Sequence, residues 1–215
     1  MTTRAKKTPS KRKSSSRSTG GNFAGTRRTA LHENPWFSVR KRGKYYTIEN
    51  RQEQVIILPI VENQGVVLVR VKRPVINDNP LELPAGGIEA GETPEAGAAR
   101  ELFEETGIMI SELSRFVPMV PLSPSPNRIP TRLHVFRVDI THDEFAKRGP
   151  YDNEITGIEY VSLDELVSRI VRGEIYVLAP LAILATFLLS GTIDQRDRSR
   201  QARISTELSP RAREN

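Results

Sequence analysis

Glu101, Glu104 and Glu105 stand at i, i+3 and i+4 within the stretch ELPAGGIEAGETPEAGAARELFEETGI, which runs from Glu82 to Ile108. On a helix that spacing puts three carboxylates on one face. The helix is well announced: Thr93 suits an N-cap and Pro94 the first helical position. Glu95 suits the positive end of the dipole, and Gly107 the position that ends a helix. A solvated helix gains nothing from such a face, because like charges four apart cost roughly 0.2–0.5 kcal/mol. Acids near a C-terminus also oppose the dipole, and Arg100 is the one base close by in sequence. The cluster makes sense if a doubly positive ion sits over it, and an all-oxygen donor set selects a hard cation, Mg²⁺ or Mn²⁺. The loop before the helix holds Pro84, Gly86, Gly87 and Gly91. Glycine lets main chain approach a ligand closely, so the carbonyl of Ala85 is a candidate fourth oxygen donor. An ordinary acidic helix after a glycine-rich turn would leave the clustered acids without a purpose.

Gly86, Glu92, Arg100, Glu101, Glu104, Glu105 and Gly107, with apolar Leu102 and Ile108, match every fixed position of the Nudix box. On these residues the chain resembles the Nudix hydrolases, which cleave nucleoside diphosphates linked to another moiety. The resemblance extends over about residues 35–190 and implies an α/β/α sandwich with a mixed sheet; hydrophobic pattern alone says only α/β or α+β. It implies divalent ions held by Glu101, Glu105 and the Ala85 carbonyl, with Glu104 in support. Glu92 and Arg100 would form an ion pair that orients the loop and the acids. VLVRVKRPV followed by LELPAGG resembles the ADP-ribose pyrophosphatase branch, which implies substrate contacts from Arg73 and Glu82. A loop glutamate that helps to activate the water falls on Glu154, with Asp152 as its rival. The same branch has a proline sixteen residues beyond the box, here Pro124. The glutamate that often follows it is missing, for the chain reads Asn127 and Arg128. That departure leaves the substrate open among ADP-ribose (cleaved to AMP and ribose 5-phosphate), other nucleoside diphosphate sugars, dinucleoside polyphosphates and oxidised nucleotides. A nucleotide- or RNA-binding module that has kept its acids is the reading from a different class.

Composition narrows the setting. Of 215 residues none is cysteine, so disulfides and thiolate metal sites are excluded, and His32, His134 and His142 are scattered without ligand spacing. The formal charge of +6 is a property of one end. Residues 1–32 hold nine of the 32 Lys and Arg and no acid, leaving 23 basic against 26 acidic residues from Glu33 onward. Three parts are therefore expected: a disordered basic tail over 1–32, a Nudix domain over 33–190 and a polar tail over 191–215. KRK at 11–13 could touch nucleic acid or act as an address signal, although a solvated leader is the plainer reading. No apolar segment follows the start, which argues against secretion and for a cytoplasmic setting. The most apolar run, Ile175–Leu189, is interrupted by Pro180 and falls short of the roughly 20 residues a membrane span needs.

The remaining elements follow from pattern. Residues 36–42 and 44–50 read as a hairpin turned at Gly43, and 54–62 with 66–73 as a more buried second one. Trp36, Phe37, Tyr45 and Tyr46 could stack a base, though strand aromatics are more often half-buried packing. The branch resemblance also implies a homodimer through this hairpin. FVPMVPLSPSPNRIP is too rich in proline for a central strand and reads as a loop. A strand over 132–140, a surface loop over 142–154 and a strand over 158–162 follow. Next come a helix with Ser162 and Glu165 as a capping box and a last apolar helix from Ala179 to Ser190.

Overall fold

The computed structural model describes residues 28–191. Its first three strands, β1 (Arg28–Glu33), β2 (Phe37–Arg42) and β3 (Tyr45–Asn50), form an antiparallel sheet of their own, in that order. The expected hairpin is present, with Gly43 at φ 60° in its turn. β1 corrects the expected boundary of the basic tail. Arg28 to His32 pair with β2, so the tail's last five residues belong to the sheet, while residues 1–27 lie outside the described residues. The polar-tail expectation over 192–215 lies outside them as well.

The second sheet holds β4 (Gln54–Val61), β5 (Gly65–Val71), β6 (Leu81–Glu82), β7 (Ala85–Gly87), β8 (Val117–Pro118), β9 (His134–Ile140) and β10 (Ile155–Ser162). Its path is β10-β5-β4-β9-β8, antiparallel except where β4 runs parallel to β9. Glu62 and Asn63 both take positive φ, 46° and 57°, which gives the β4–β5 turn the twist its strands require.

β4 alternates cleanly. Val55, Ile57 and Val61 face one cluster with Ala98 and Leu102, and Ile56, Leu58 and Ile60 face the other with Leu166, Ile183 and Leu184. Those partners lie on α1 (Pro94–Thr106) on one side, and on α3 (Leu163–Val171) and α4 (178–191) on the other. The short α2 (His142–Ala146) lies between β9 and β10 in the chain. The fold is an α/β/α sandwich around a mixed sheet, as expected.

β4 and β5 are a hairpin for only two register pairs, Ile60↔Val66 and Val61↔Gly65. Pro59, which has no N–H to give, stands where the strands part. The segment from Leu81 to Gly87 fills the gap: β6 pairs with β5, and β7 pairs with β4 over Gln54 to Ile56. The glycine-rich loop is thereby wedged into the sheet.

Residues 142–154 are not all loop, since α2 begins there. Thr141 and Glu144 form a reciprocal capping box at its start, a T-x-x-E signal that sequence reading passed over. Glu144 also meets the Arg115 fork, with Nη2 donating to Oε2 at 2.9 Å. At α3, Ser162 Oγ accepts from the Glu165 N–H, but the Glu165 carboxylate bonds Arg169 instead of closing the box.

The Arg115 guanidinium first, and then the Thr141 N–H, hold the Glu144 carboxyl down at about 2 against its burial. A carboxyl whose folded pKa is depressed stabilises above its unfolded pKa, and that contribution is lost as pH falls through the folded one. Glu144→Gln should therefore cost about 1–3 kcal/mol at neutral pH. The gap from wild type should shrink between about pH 4.5 and pH 2. Urea unfolding of both proteins over that range measures it, and a gap that stays level would contradict the pairing.

Candidate active site

α1 starts and stops where its sequence says it should. Thr93 Oγ1 accepts from the Ala96 N–H at 3.2 Å, and Gly107, at φ 68°, donates its N–H to Phe103 O at 2.7 Å. Gly107 has a second reason to lack a side chain, because a Cβ there would run into the backbone of Gly149. The Gly149 N–H donates to Gly107 O at 2.8 Å, and the Asp152 N–H to Glu104 O at 2.9 Å. The loop that carries Glu154 is thus sewn by main chain to the end of the helix that carries the acids. Its far side is fixed by the Lys72 N–H, which donates to Glu154 O at 3.0 Å.

Leu102 and Ala98 bury one side of α1 in the sheet, and this turns Glu101 toward the wedged loop. Glu101 is only 9% exposed. A Cβ on Gly86 would collide with its carboxyl, so glycine at 86 leaves the space that the carboxylate occupies.

Arg100 knits the group together. Its Nε and Nη2 grip Glu92 at 2.9 and 3.1 Å, and Nη2 also donates to Gly87 O at 2.6 Å. Nη1 donates to both Glu101 Oε1 and Glu104 Oε2 at 2.9 Å, so a cation of the chain itself bridges two of the three acids. Glu105 turns the other way and accepts from the Ala85 N–H at 2.9 Å. Burial, reinforced by the charge of Glu101, pushes the Glu105 carboxyl up to about 8 against the Ala85 bond and the pull of Arg73. Burial also raises Glu101, in spite of Arg100.

Arg73 and Glu82, expected as separate contacts, are one unit. Nε and Nη2 of Arg73 donate to the two oxygens of buried Glu82 at 2.7 and 3.0 Å. The fork is therefore taken, and Nη1 has no hydrogen-bond partner among the described residues. This pair lies in a cleft of about 720 Å³, with Lys72 beside Arg73 and Glu154 also in its lining. Pro74, Val75, Ile76 and Val177 supply its apolar part. Arg73 feels the charges of Glu105 and Glu154 as well as Glu82, so the cleft opens beside the acid face. Asn153 and Glu154 line the cleft, whereas Asp152 does not. Pro124 lies outside it, in the loop whose Arg128 carbonyl accepts from the Ile48 N–H at 2.8 Å. Tyr45 and Tyr46 are exposed on the separate N-terminal sheet, and Trp36 is exposed in the turn before β2. Sequence reading missed Asp78 and Tyr176, whose contact across 98 positions leaves no local signal.

The residues suit a hard divalent cation by their chemistry. Every donor is oxygen, the Gly86 cradle admits Glu101, and burial raises both Glu101 and Glu105. Among the described residues no three acidic or histidine side chains are gathered as a metal-holding group, Glu101 and Glu104 being engaged by Arg100.

The NUDIX domain profile matches residues 50–179, and the chain belongs to the Nudix family. It is 34% identical to the mouse (Mus musculus) ADP-sugar pyrophosphatase over 126 residues, covering 55% of this chain and 56% of that protein. It is 28% identical to the ADP-ribose pyrophosphatase of Bacillus subtilis (strain 168) over 122 residues, covering 57% and 64%. The match thus spans under two thirds of either relative's length. A solved structure described as an ADP compounds hydrolase shares the fold, with a TM-score of 0.58 at 19% identity, over 80% of this chain and 96% of its own.

Gly86→Ala should push the Glu101 carboxylate out of its cradle. Mn²⁺ affinity, read by calorimetry, should drop roughly ten- to a hundredfold while the circular dichroism spectrum is unchanged. Undiminished affinity would remove Glu101 from the ligand set.

Proposed function

We propose that the chain hydrolyses the pyrophosphate bond of a nucleoside diphosphate joined to another moiety, with ADP-ribose, giving AMP and ribose 5-phosphate, as the foremost substrate. The observation that carries this reading is the gathering of three acids at one end of α1, Glu101 seated against Gly86, Glu105 on the Ala85 N–H and Glu104 on Arg100, beside a cleft that presents Arg73 and Glu154. The names of the mouse and Bacillus relatives support the substrate class.

Glu101, Glu105 and the Ala85 carbonyl, with Glu104, would hold Mg²⁺ or Mn²⁺. When bound, such an ion neutralises charge on the phosphates and acidifies a water. The chain's own groups do the rest. Glu92 and Gly87 fix Arg100, which keeps the acid face in order. Glu82 orients Arg73 so that Nη1 points its charge at a phosphate oxygen in the cleft, a one-armed contact in place of a forked one. Glu154 is the base that takes the proton of the attacking water, being a carboxylate of the cleft lining held by main chain on both sides.

The absent glutamate near Asn127 and Arg128 keeps other nucleoside diphosphate sugars, dinucleoside polyphosphates and oxidised nucleotides in the panel to be assayed. A homodimer through the N-terminal hairpin and weak nucleic-acid contact through the basic tail remain parts of the proposal, as does a cytoplasmic setting. No helix among the described residues is long and apolar enough to cross a membrane.

Products resolved by chromatography from that panel, with Mg²⁺ and with Mn²⁺, should include AMP from ADP-ribose; inertness toward every member would end the reading. Glu105→Gln should lower kcat at least about a hundredfold with the fold intact, since a ligand that also sets the position of Ala85 is lost. Glu154→Ala should lower kcat about 10²- to 10⁴-fold and leave Mn²⁺ affinity alone. An unchanged rate would move the base elsewhere.

A further inference from the structure

The loop from Pro74 to Asn79, between β5 and β6, supplies one wall of the cleft. It closes on itself through main chain: the Arg73 N–H donates to Asp78 O at 2.9 Å, and the Ile76 N–H to Arg73 O at 3.2 Å. Asn77, at φ 53°, makes the bend. Its tip is apolar and unburied, with Val75 98% and Ile76 53% exposed. Branched apolar side chains on a loop tip gain nothing from water, and beside a charged cleft they read as part of a binding surface.

One side-chain bond fastens this loop to the opposite wall. Tyr176 Oη donates to Asp78 Oδ2 at 2.6 Å. Both ends of that bond are braced. Asp78 Oδ1 accepts from the Asn79 N–H at 2.7 Å, which sets the carboxylate's orientation. Tyr176 follows Ile175, which is buried in the core cluster beneath α3 and α4, and precedes Val177, which lines the same cleft. The hydroxyl therefore ties the loop to a segment anchored in the core through Ile175.

We propose that Tyr176, acting through Asp78, is a positioning residue for substrate: it holds the 74–79 loop so that Val75, Ile76 and Val177 form an apolar seat for the nucleoside, next to the Arg73 arm that meets the diphosphate. This rests on the pyrophosphatase reading above. The seat sets affinity and leaves the bond-breaking groups untouched, because neither Tyr176 nor Asp78 bonds Glu101, Glu104, Glu105 or Glu154.

The test uses the full chain, with Tyr176→Phe, Asp78→Ala, the double variant and Val75→Ser. Steady-state kinetics on ADP-ribose are read beside the calorimetric Kd for AMP, which needs no turnover. Each single variant should raise both KM and Kd about fivefold to tenfold with kcat within about twofold of wild type, as expected for losing one oriented bond or one apolar contact. The double variant should be no worse than either single, since both remove the same bond. Val75→Ser guards against trivial unfolding, because that side chain is almost wholly in water. Unchanged Kd in Tyr176→Phe and Val75→Ser would overturn the proposal, and so would a loss confined to kcat or a penalty that doubles in the double variant. If wild type turns over no nucleotide yet binds AMP more tightly than the variants do, the hydrolytic reading fails and the seat stands.

Discussion

A sheet that stops pairing with itself creates the site. β4 is buried along nearly its whole length, and its neighbour β5 leaves it after two register pairs, at Pro59. The main-chain groups freed on both strands cannot stay unbonded inside the protein. They are met by the segment from Leu81 to Gly87, half of which pairs with β5 and half with β4. The Ile57 N–H, opposite the break, is satisfied by Pro84 O at 2.9 Å. A loop that would otherwise drift at the surface becomes part of the rigid layer, and Ala85, Gly86 and Gly87 acquire fixed places against α1.

The rest of the site is an electrostatic consequence of that fixed backbone. α1 must bury Ala98 and Leu102, which brings Glu101 and Glu105 against the wedge and away from water. Isolated carboxylates in such surroundings would cost several kcal/mol each, so the protein meets them with what it has. Arg100 serves Glu101 and Glu104, and the Ala85 N–H serves Glu105. These partners do not suffice, for burial still lifts both Glu101 and Glu105 above the ordinary value of a glutamate. A domain that needed only to fold would be more stable with apolar residues at these places. Acids kept in such surroundings at that cost are what the proposed divalent-cation site would require.

Much of this was legible in the chain. The cap at Thr93, the stop at Gly107 and the one-sided acids follow from helix chemistry, which is local. The two hairpins are local too, whereas Glu154 became a candidate only through the family resemblance, and the strand after it begins at Ile155, earlier than its pattern announces. What could not be read is what depends on distant partners. β1 looks like more of the basic leader because its pairing with β2 lies in another strand's register. β6 and β7 are two and three residues long, and no periodicity can announce them. α2 is the exception: its capping box stood in the sequence as Thr141 and Glu144, but its five residues are too few to show a helical period. The bond between Asp78 and Tyr176 joins ends of the domain that no pattern connects.

The two arginines of the site share one design. Each offers Nε and Nη2 to a single glutamate, Arg100 to Glu92 and Arg73 to Glu82, and each keeps Nη1 for something else. A guanidinium clamped along one edge cannot rotate, so the remaining arm has a direction as well as a charge. For Arg100 that arm is turned inward, onto the acids at the helix end. For Arg73 it is left without a protein partner among the described residues, in a cleft where Glu105 and Glu154 add to the local field. Lysine at either place would keep the charge and lose the aim. The clamping acids are therefore as much a part of the site as the groups that meet a ligand, since they turn two flexible cations into fixed ones on either side of the wedged loop.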